Sequence, residues 1–178
     1  MSIDRATRDV VLSVARTAIA SAIGARAACT PADAAVLHER RGVFVTLKHR
    51  GRLRGCMGRV EPDEPLTSLL PAVAVLSATA DPRFAPVTAD ELSEIEIEVS
   101  LLTEPVAITG PGEVEIGRHG LIVAGRGRRG LLLPQVAAEH GWTASEFLAQ
   151  TCLKARLSAD AWRQPGILLQ AFEAEIVE

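Results

Sequence analysis

Leu53-Arg54-Gly55-Cys56-Met57-Gly58 places a thiol two residues after a guanidinium and between two glycines. Alternate side chains of an extended strand share a face, so Arg52, Arg54 and Cys56 are expected on one side, Leu53 and Met57 on the other. A guanidinium beside a thiol favours the thiolate, the form that attacks electrophiles and binds metals. Gly55 and Gly58 lack Cβ atoms, which lets a ligand or another backbone approach closely. The chemistry this predicts is nucleophilic or redox, with Cys56 as the thiol and Arg54 as its charge partner. His119, a histidine followed by glycine at a strand start, is the candidate proton acceptor. A bland reading stands beside this one: free cysteine is among the most buried residue types, and Cys56 as a small hydrophobe would simply pack its hairpin.

The neighbouring charges carry the same pair of readings. Arg54 either ties Asp81 or Glu98 into an ion pair or binds an anionic ligand through its planar fork, and Arg83 of the Asp81-Pro82-Arg83-Phe84 cluster invites both. Asp81 itself reads as a turn-forming acceptor. Glu96 and Glu98 read most simply as a solvated strand face, and His38, His49 and His140 as surface or capping residues. Without a His-Glu-x-x-His pattern or a carboxylate-histidine cluster, no metal site is predicted, and no cofactor is implied.

Gly125-Arg126-Gly127-Arg128-Arg129-Gly130 matches the letters of a dinucleotide fingerprint. Strand-like Leu131 to Leu133 follows it, where a pyrophosphate would need a helix amino end, so a basic hairpin turn is the better reading. Its arginines, with Lys48, His49, Arg50 and Arg52 of an earlier turn, would meet nucleic acid if both loops converged. A net charge of -3, 3% aromatic residues and the absence of tyrosine argue against nucleic acid as a partner, since few stacking platforms exist.

These residues need elements to position them. Val11, Val14, Ala15, Ala18 and Ala22 give helical spacing up to a capping Gly24, and a second helix is predicted after Pro31. Gly42 to Lys48 and Arg52 to Met57 read as a hairpin around His49-Arg50-Gly51. Leu66 to Ser77 is helical, with Pro71 either interrupting it or marking its start. Ile95, Ile97, Val99 and Leu101 alternate with polar residues as a strand, and short strands are expected at Val114–Ile116 and Gly120–Ala124. Pro134 opens a short helix, Thr143 with Glu146 forms a capping box, and Ile167–Ile176 closes the chain as a strand. Strands and helices mix without a βαβ rhythm, which predicts an α+β fold.

With 178 residues, 48% of them hydrophobic, the chain can bury roughly 70% of its unfolded surface. Cys29, Cys56 and Cys152 are odd in number and widely spaced, which fits reduced thiols in the cytoplasm rather than a disulfide framework. No export signal is read at the amino end, and the apolar stretch from Pro65 to Ala80 is too short for a membrane span.

In order, Gly42-Val43-Phe44-Val45-Thr46-Leu47, Leu53-Arg54-Gly55-Cys56-Met57-Gly58, Asp81-Pro82-Arg83-Phe84, Ile97-Glu98-Val99-Ser100, His119-Gly120 and Leu133-Pro134-Gln135-Val136 resemble the AMMECR family. Its bacterial members are called AmmeMemoRadiSam system protein A. The resemblance runs from about Val10 to Phe172 and implies one AMMECR-type domain over residues 1–178 with two interleaved lobes. The larger lobe, with a mainly antiparallel sheet and flanking helices, is built from both chain ends, and the smaller from the middle of the chain. A cleft between the lobes near the Leu-Arg-Gly-Cys motif is implied; a small anionic molecule or a peptide segment is expected to bind there, with Cys56 and His119 the catalytic candidates that would modify it and Arg54, Gly55, Gly58, Arg83 and Glu98 the ligand-binding ones. The resemblance also implies company, because prokaryotic members are often encoded beside a Memo-type protein and a radical SAM protein. A non-catalytic partner subunit of that system is therefore the competing reading, and whether the chain is an enzyme stays open. Two residues depart from the family pattern: Met57 stands where isoleucine is typical, and Arg156 where bacterial relatives have glycine, which would strain a left-handed cap.

Overall fold

The computed structural model describes residues 3–26, 33–61 and 63–178. Cys29 and Pro31 lie outside the described residues. The fold is α+β, and the chain divides into two compact units, Met1–Leu102 with Glu175–Glu178, and Thr103–Ala174. Among the described residues no helix is long and apolar enough to cross a membrane.

Unit 1 begins with helix α1, Arg5–Ala22, which the Asp4 side chain caps by accepting from the Thr7 amide at 2.8 Å. Val11, Ala15 and Ile19 recur every four residues and form its fully buried stripe. Gly24 ends it in the left-handed region at φ 71°, with the Ala25 amide returning to the Ala20 carbonyl. The helix predicted after Pro31 is a single 3-10 turn, Ala35–His38. Strands β1, Val43–His49, and β2, Arg52–Arg59, form the expected hairpin, and β3, Ile95–Leu102, pairs antiparallel with the other edge of β1. Helix α2, Leu66–Thr79, contains Pro71, which neither breaks it nor marks its start. Proline at its sixth residue, past the first turn, leaves the Thr67 carbonyl without its intrahelical amide, and the burial of Leu69, Leu70 and Val73 holds the helix across that lost bond. Val45, Leu47, Val99 and Leu101 on one face of the sheet and Leu66, Leu69 and Leu70 on α2 belong to one core with the α1 stripe.

Unit 2 contains β4, Val106–Ala107, β5, His119–Gly125, β6, Arg128–Leu132, and most of β7, Leu168–Val177, all antiparallel in the order β4-β7-β5-β6. Val114–Ile116 is not a strand. Pro111–Glu113 makes a 3-10 turn there instead, and β4, too short to show a period, supplies the edge. Only Arg126 and Gly127 make the predicted basic turn, and β6 already begins at Arg128. Helices α3, Pro134–His140, and α4, Ala144–Lys154, follow, the second opened by the full capping box of Thr143 and Glu146. Leu121, Val123, Phe147, Leu148 and Cys152 anchor a second core.

Candidate functional site

A β-bulge decides what surrounds Cys56. Across the two-residue turn His49 pairs with Arg52 and Lys48 with Leu53, but Leu47 pairs with Gly55, so Arg54 has no partner on β1. From there on the register is displaced by one residue, and a displacement of one exchanges the two faces of a strand. Cys56 therefore sits opposite Thr46, on the face away from the core, while Gly55 faces α2. Without the bulge Cys56 would stand opposite Val45, whose side chain is fully buried.

The bulge also re-aims Arg54. Its Nε and Nη2 donate to Glu91 at 3.0 and 3.1 Å, while Nη1 donates to the Ala85 carbonyl at 2.7 Å and Nη2 also to that of Pro86 at 3.2 Å. The guanidinium is 17% exposed and holds the Glu91 carboxyl down to about 2, with the Thr88 amide and hydroxyl helping. Of the two readings of Arg54 the ion pair is the one formed, with Glu91 rather than Asp81 or Glu98, and its donors are turned to that pair and not to the thiol.

The guanidinium at the thiol belongs to Arg83. Asp81 forms the expected turn, accepting the Arg83 amide at 3.0 Å, and its nearly buried carboxylate also takes the Arg83 side chain at 2.6 Å and the Cys56 amide at 2.8 Å. Arg83 Nη2 donates to the Cys56 carbonyl at 3.2 Å. Its charged form is favoured first by Asp81 and then also by the Cys56 thiol, and Arg83 in turn holds the Asp81 carboxyl well below the usual carboxylate range. The sulfur, half-buried, accepts from the Thr46 hydroxyl at 3.4 Å. The Leu-Arg-Gly-Cys strand and the Asp-Pro-Arg-Phe turn are thus one construction, in which Asp81 and Arg83 satisfy the Cys56 amide and carbonyl and bring a cation to that residue.

Glu98 lies beyond Thr46 on the same face, since Thr46 pairs with Cys56 on one side and Glu98 on the other. Its side chain is 12% exposed and bonds Lys48 Nζ at 2.8 Å, so it is not a freely solvated strand carboxylate. That bond, against desolvation, raises the Lys48 ammonium above its ordinary value. Beside the pair a cavity of about 330 Å³ is lined by Arg16, Glu96 and Ile97 as well.

Both motif glycines are occupied by the protein's own atoms. A Cβ at Gly55 would collide with the Ser77 carbonyl of α2, and one at Gly58 with the Phe44 ring. Ser77 ties the same layer together, donating to the Val45 carbonyl at 2.9 Å and accepting from the Met57 amide at 3.0 Å.

His119 belongs to unit 2 and lines a cavity of about 280 Å³ with Thr103, Glu113, Phe172 and Glu173. Its Nδ1 accepts from the Glu115 amide at 3.1 Å. The neutral ring then carries its proton on Nε2, which makes that nitrogen a donor. Among the described residues no group of three or more His, Cys, Asp or Glu side chains is placed to hold a metal ion. Thr46, Ser77 and Glu91 were not legible as parts of this site. Thr46 requires the bulged register, and Ser77 and Glu91 require the packing of α2 and the 84–91 segment against β2.

Two compact units of antiparallel strands and helices, with the chain end returning to the first unit and an Asp–Arg turn holding the backbone of a half-buried cysteine, define an α+β protein with one distinctive sequence-to-structure signature. The AMMECR1 family model matches residues 12–177, and the chain belongs to that family. It is 48% identical over 147 residues to a protein of Methanothermobacter thermautotrophicus, covering 79% of this chain and 77% of that one. To a protein of Methanosarcina barkeri it is 49% identical over 146 residues, covering 79% and 72%. The crystal structure of the uncharacterized protein PH0010 from Pyrococcus horikoshii matches with a TM-score of 0.89 at 39% identity, over 98% of this chain and 92% of that one.

Proposed function

We propose that this AMMECR1-family protein binds a small anionic molecule or an acidic peptide segment on the outer face of unit 1 around Cys56. The observation that carries the reading is that half-buried Cys56 receives the Thr46 hydroxyl on its sulfur at 3.4 Å and the Arg83 guanidinium on its carbonyl at 3.2 Å. Arg83, 53% exposed, supplies the anion attraction, while the Thr46 hydroxyl gives its one proton to the sulfur. Cys56 is the group a bound electrophile would meet, and Arg83 rather than Arg54 is its charge partner.

The charge preference of alkylation tests this. In a Cys29→Ser background, the ratio of iodoacetate to iodoacetamide rates at Cys56 is expected to exceed that of glutathione by about threefold, and Arg83→Gln is expected to remove the excess. Cys152, fully buried and with its thiol pushed up by desolvation, serves as the unreactive control. A ratio equal to that of glutathione and indifferent to Arg83 overturns the reading.

The second reading, a non-catalytic partner subunit of a Memo-type and radical SAM protein system, is favoured by a different observation. Leu53 on β2 and Leu76 on α2 are 44% and 41% exposed in the same unit. Cys56→Ser separates the two: it abolishes activity in a cell dependent on the system if the thiol does chemistry, and leaves it intact if the surface only docks.

A further inference from the structure

Several arginines of unit 1, and Arg118 of unit 2 through Glu115 and Glu173, are paired with carboxylates, whereas a group of cations at one end of unit 2 is not. In unit 1, Arg41, Arg50, Arg54, Arg59 and Arg83 each face a carboxylate. In unit 2, Arg126, Arg128, Lys154, Arg156 and Arg163 are all exposed, and among the described residues none of them forms an ion pair with a carboxylate. Their hydrogen bonds and ring contact are to neutral groups. Arg126 Nη2 donates to Gln164 Oε1 at 2.7 Å, Arg128 Nη1 donates to the Arg156 carbonyl, and the Arg163 guanidinium lies 4.5 Å from the Trp162 ring centroid.

These contacts gather the cations at one end of the unit. The β5–β6 turn meets the segment after the 3-10 turn Ala161–Arg163, and β6 meets the end of α4. Asp160 is the carboxylate whose acidity Arg163 helps set, after Ser158, so the local sum stays strongly positive on a chain of net charge -3. Two of the cations, Arg126 and Arg156, hold positive φ, 54° and 59°, where a side chain costs free energy that glycine would not. Leu153, beside Lys154, and Leu168 are 50% and 48% exposed.

We infer that this end of unit 2 is a docking surface for an acidic segment of a partner protein. Uncompensated guanidinium groups demand an anion, and those bound to neutral acceptors keep donors free for a carboxylate fork. Exposed leucines with arginine and tryptophan match the composition of a protein interface. A nucleic-acid partner would find few rings to stack on, since aromatic residues make up 3% of the chain.

Fluorescence anisotropy with the full chain tests it, using a labelled peptide of alternating glutamate and leucine, with an RNA and a DNA oligonucleotide of equal charge as rivals. The peptide is expected to bind more tightly than either oligonucleotide. Arg126→Glu with Arg163→Glu is expected to weaken it by about tenfold or more, while Arg50→Glu, in unit 1, changes it less than about twofold. Thermal unfolding within a few degrees of the parent shows that the doubly reversed chain is folded, and Arg126→Gln with Arg163→Gln, expected to weaken binding by a smaller factor, gives a second reading if it is not. Tighter binding of an oligonucleotide, or equal losses from the unit 1 and unit 2 variants, overturns the inference.

Discussion

The two hairpins share a plan and differ at one residue. Each turns through Arg-Gly at positive φ, Arg50-Gly51 and Arg126-Gly127, as a tight two-residue hairpin requires. Each second strand carries a glycine pressed against a helix, Gly55 on Ser77 of α2 and Gly130 on Ala155 at the end of α4. Each unit also lays a phenylalanine ring over a cross-strand glycine, Phe44 on Gly58 and Phe172 on Gly120. The β5–β6 register runs without interruption, whereas β2 is bulged at Arg54. The regular hairpin keeps strict alternation along both strands. The bulged one turns a thiol outward and a guanidinium aside, which is how one extra residue converts a structural hairpin into a candidate site.

The largest effects should come from the glycines, and they separate backbone from ring neighbours. Gly55→Ala and Gly130→Ala each drive a methyl into backbone atoms that have nowhere to move, so each is expected to cost about 3 kcal/mol or more. Gly120→Ala meets the Phe172 ring, 2% exposed and held in the core, and should cost about 2 kcal/mol. Gly58→Ala meets only the half-buried Phe44 ring, which can swing, and should cost about 1 kcal/mol. Urea unfolding at constant m ranks the four.

Acid distinguishes the units next. Glu91 is held down to about 2 by Arg54, and Asp81 well below its usual value by Arg83. A carboxylate depressed in the folded state stabilises above its unfolded value and loses that contribution as pH falls through the folded one. The Glu91 contribution is therefore complete above about pH 4.5 and gone near pH 2. In unit 2 the lowered carboxylates Glu113, Glu146 and Asp160 are exposed, and answer first to Thr109, Thr143 and Ser158. Both tryptophans, Trp142 and Trp162, lie in unit 2, so their fluorescence reports that unit alone, while far-UV ellipticity reports both. Ellipticity is expected to fall before fluorescence on acidification, and Glu91→Gln to remove about 2 kcal/mol at neutral pH while flattening the early phase. Coincident transitions with an unchanged mutant profile would break the contrast.

The sequence carried most of the fold because its signals were periodic or local. The α1 stripe, the Gly24 cap, the Thr143 capping box and both Arg-Gly turns each rest on residues within a turn or two of one another. The candidate site was legible as an address rather than as an arrangement. Alternation put Arg54 and Cys56 on one face, and strict alternation fails at a bulge, which has no letter of its own. Arg83 could be flagged as a charge in a turn, but its seat beside the thiol depends on how α2 returns the chain to the β2 edge. Val114–Ile116 failed for the opposite reason: three apolar or polar letters in alternation are too short a pattern to outweigh the Pro111-Gly112 turn.

Smaller effects sit at the left-handed positions. Arg156 follows α4 at φ 59°, with the Leu157 amide bonded to the Cys152 carbonyl and its own amide to Leu153, the cap geometry that glycine suits. The strain foreseen for an arginine at this cap is real, and Arg156→Gly should raise stability by about 1 kcal/mol, read as an upward shift of the urea midpoint.

The finest comparison is between the turn arginines themselves. Asparagine tolerates positive φ better than arginine, so Arg126→Asn and Arg50→Asn start with the same gain, about 0.5 kcal/mol. Arg126 gives up only its bond to Gln164, but Arg50 gives up an ion pair with Glu94 at 2.7 Å. That pair is exposed on both sides, 75% and 48%, so it should offset only part of the gain. At low salt Arg126→Asn is therefore expected to stabilise more than Arg50→Asn, and the two should converge as added salt screens the pair. Equal gains at low salt would mean that the Glu94 contact contributes nothing. The difference between Arg50, paired with Glu94, and Arg126, bound to the neutral Gln164 amide, would then be one of geometry, and would have to show itself in binding rather than in folding.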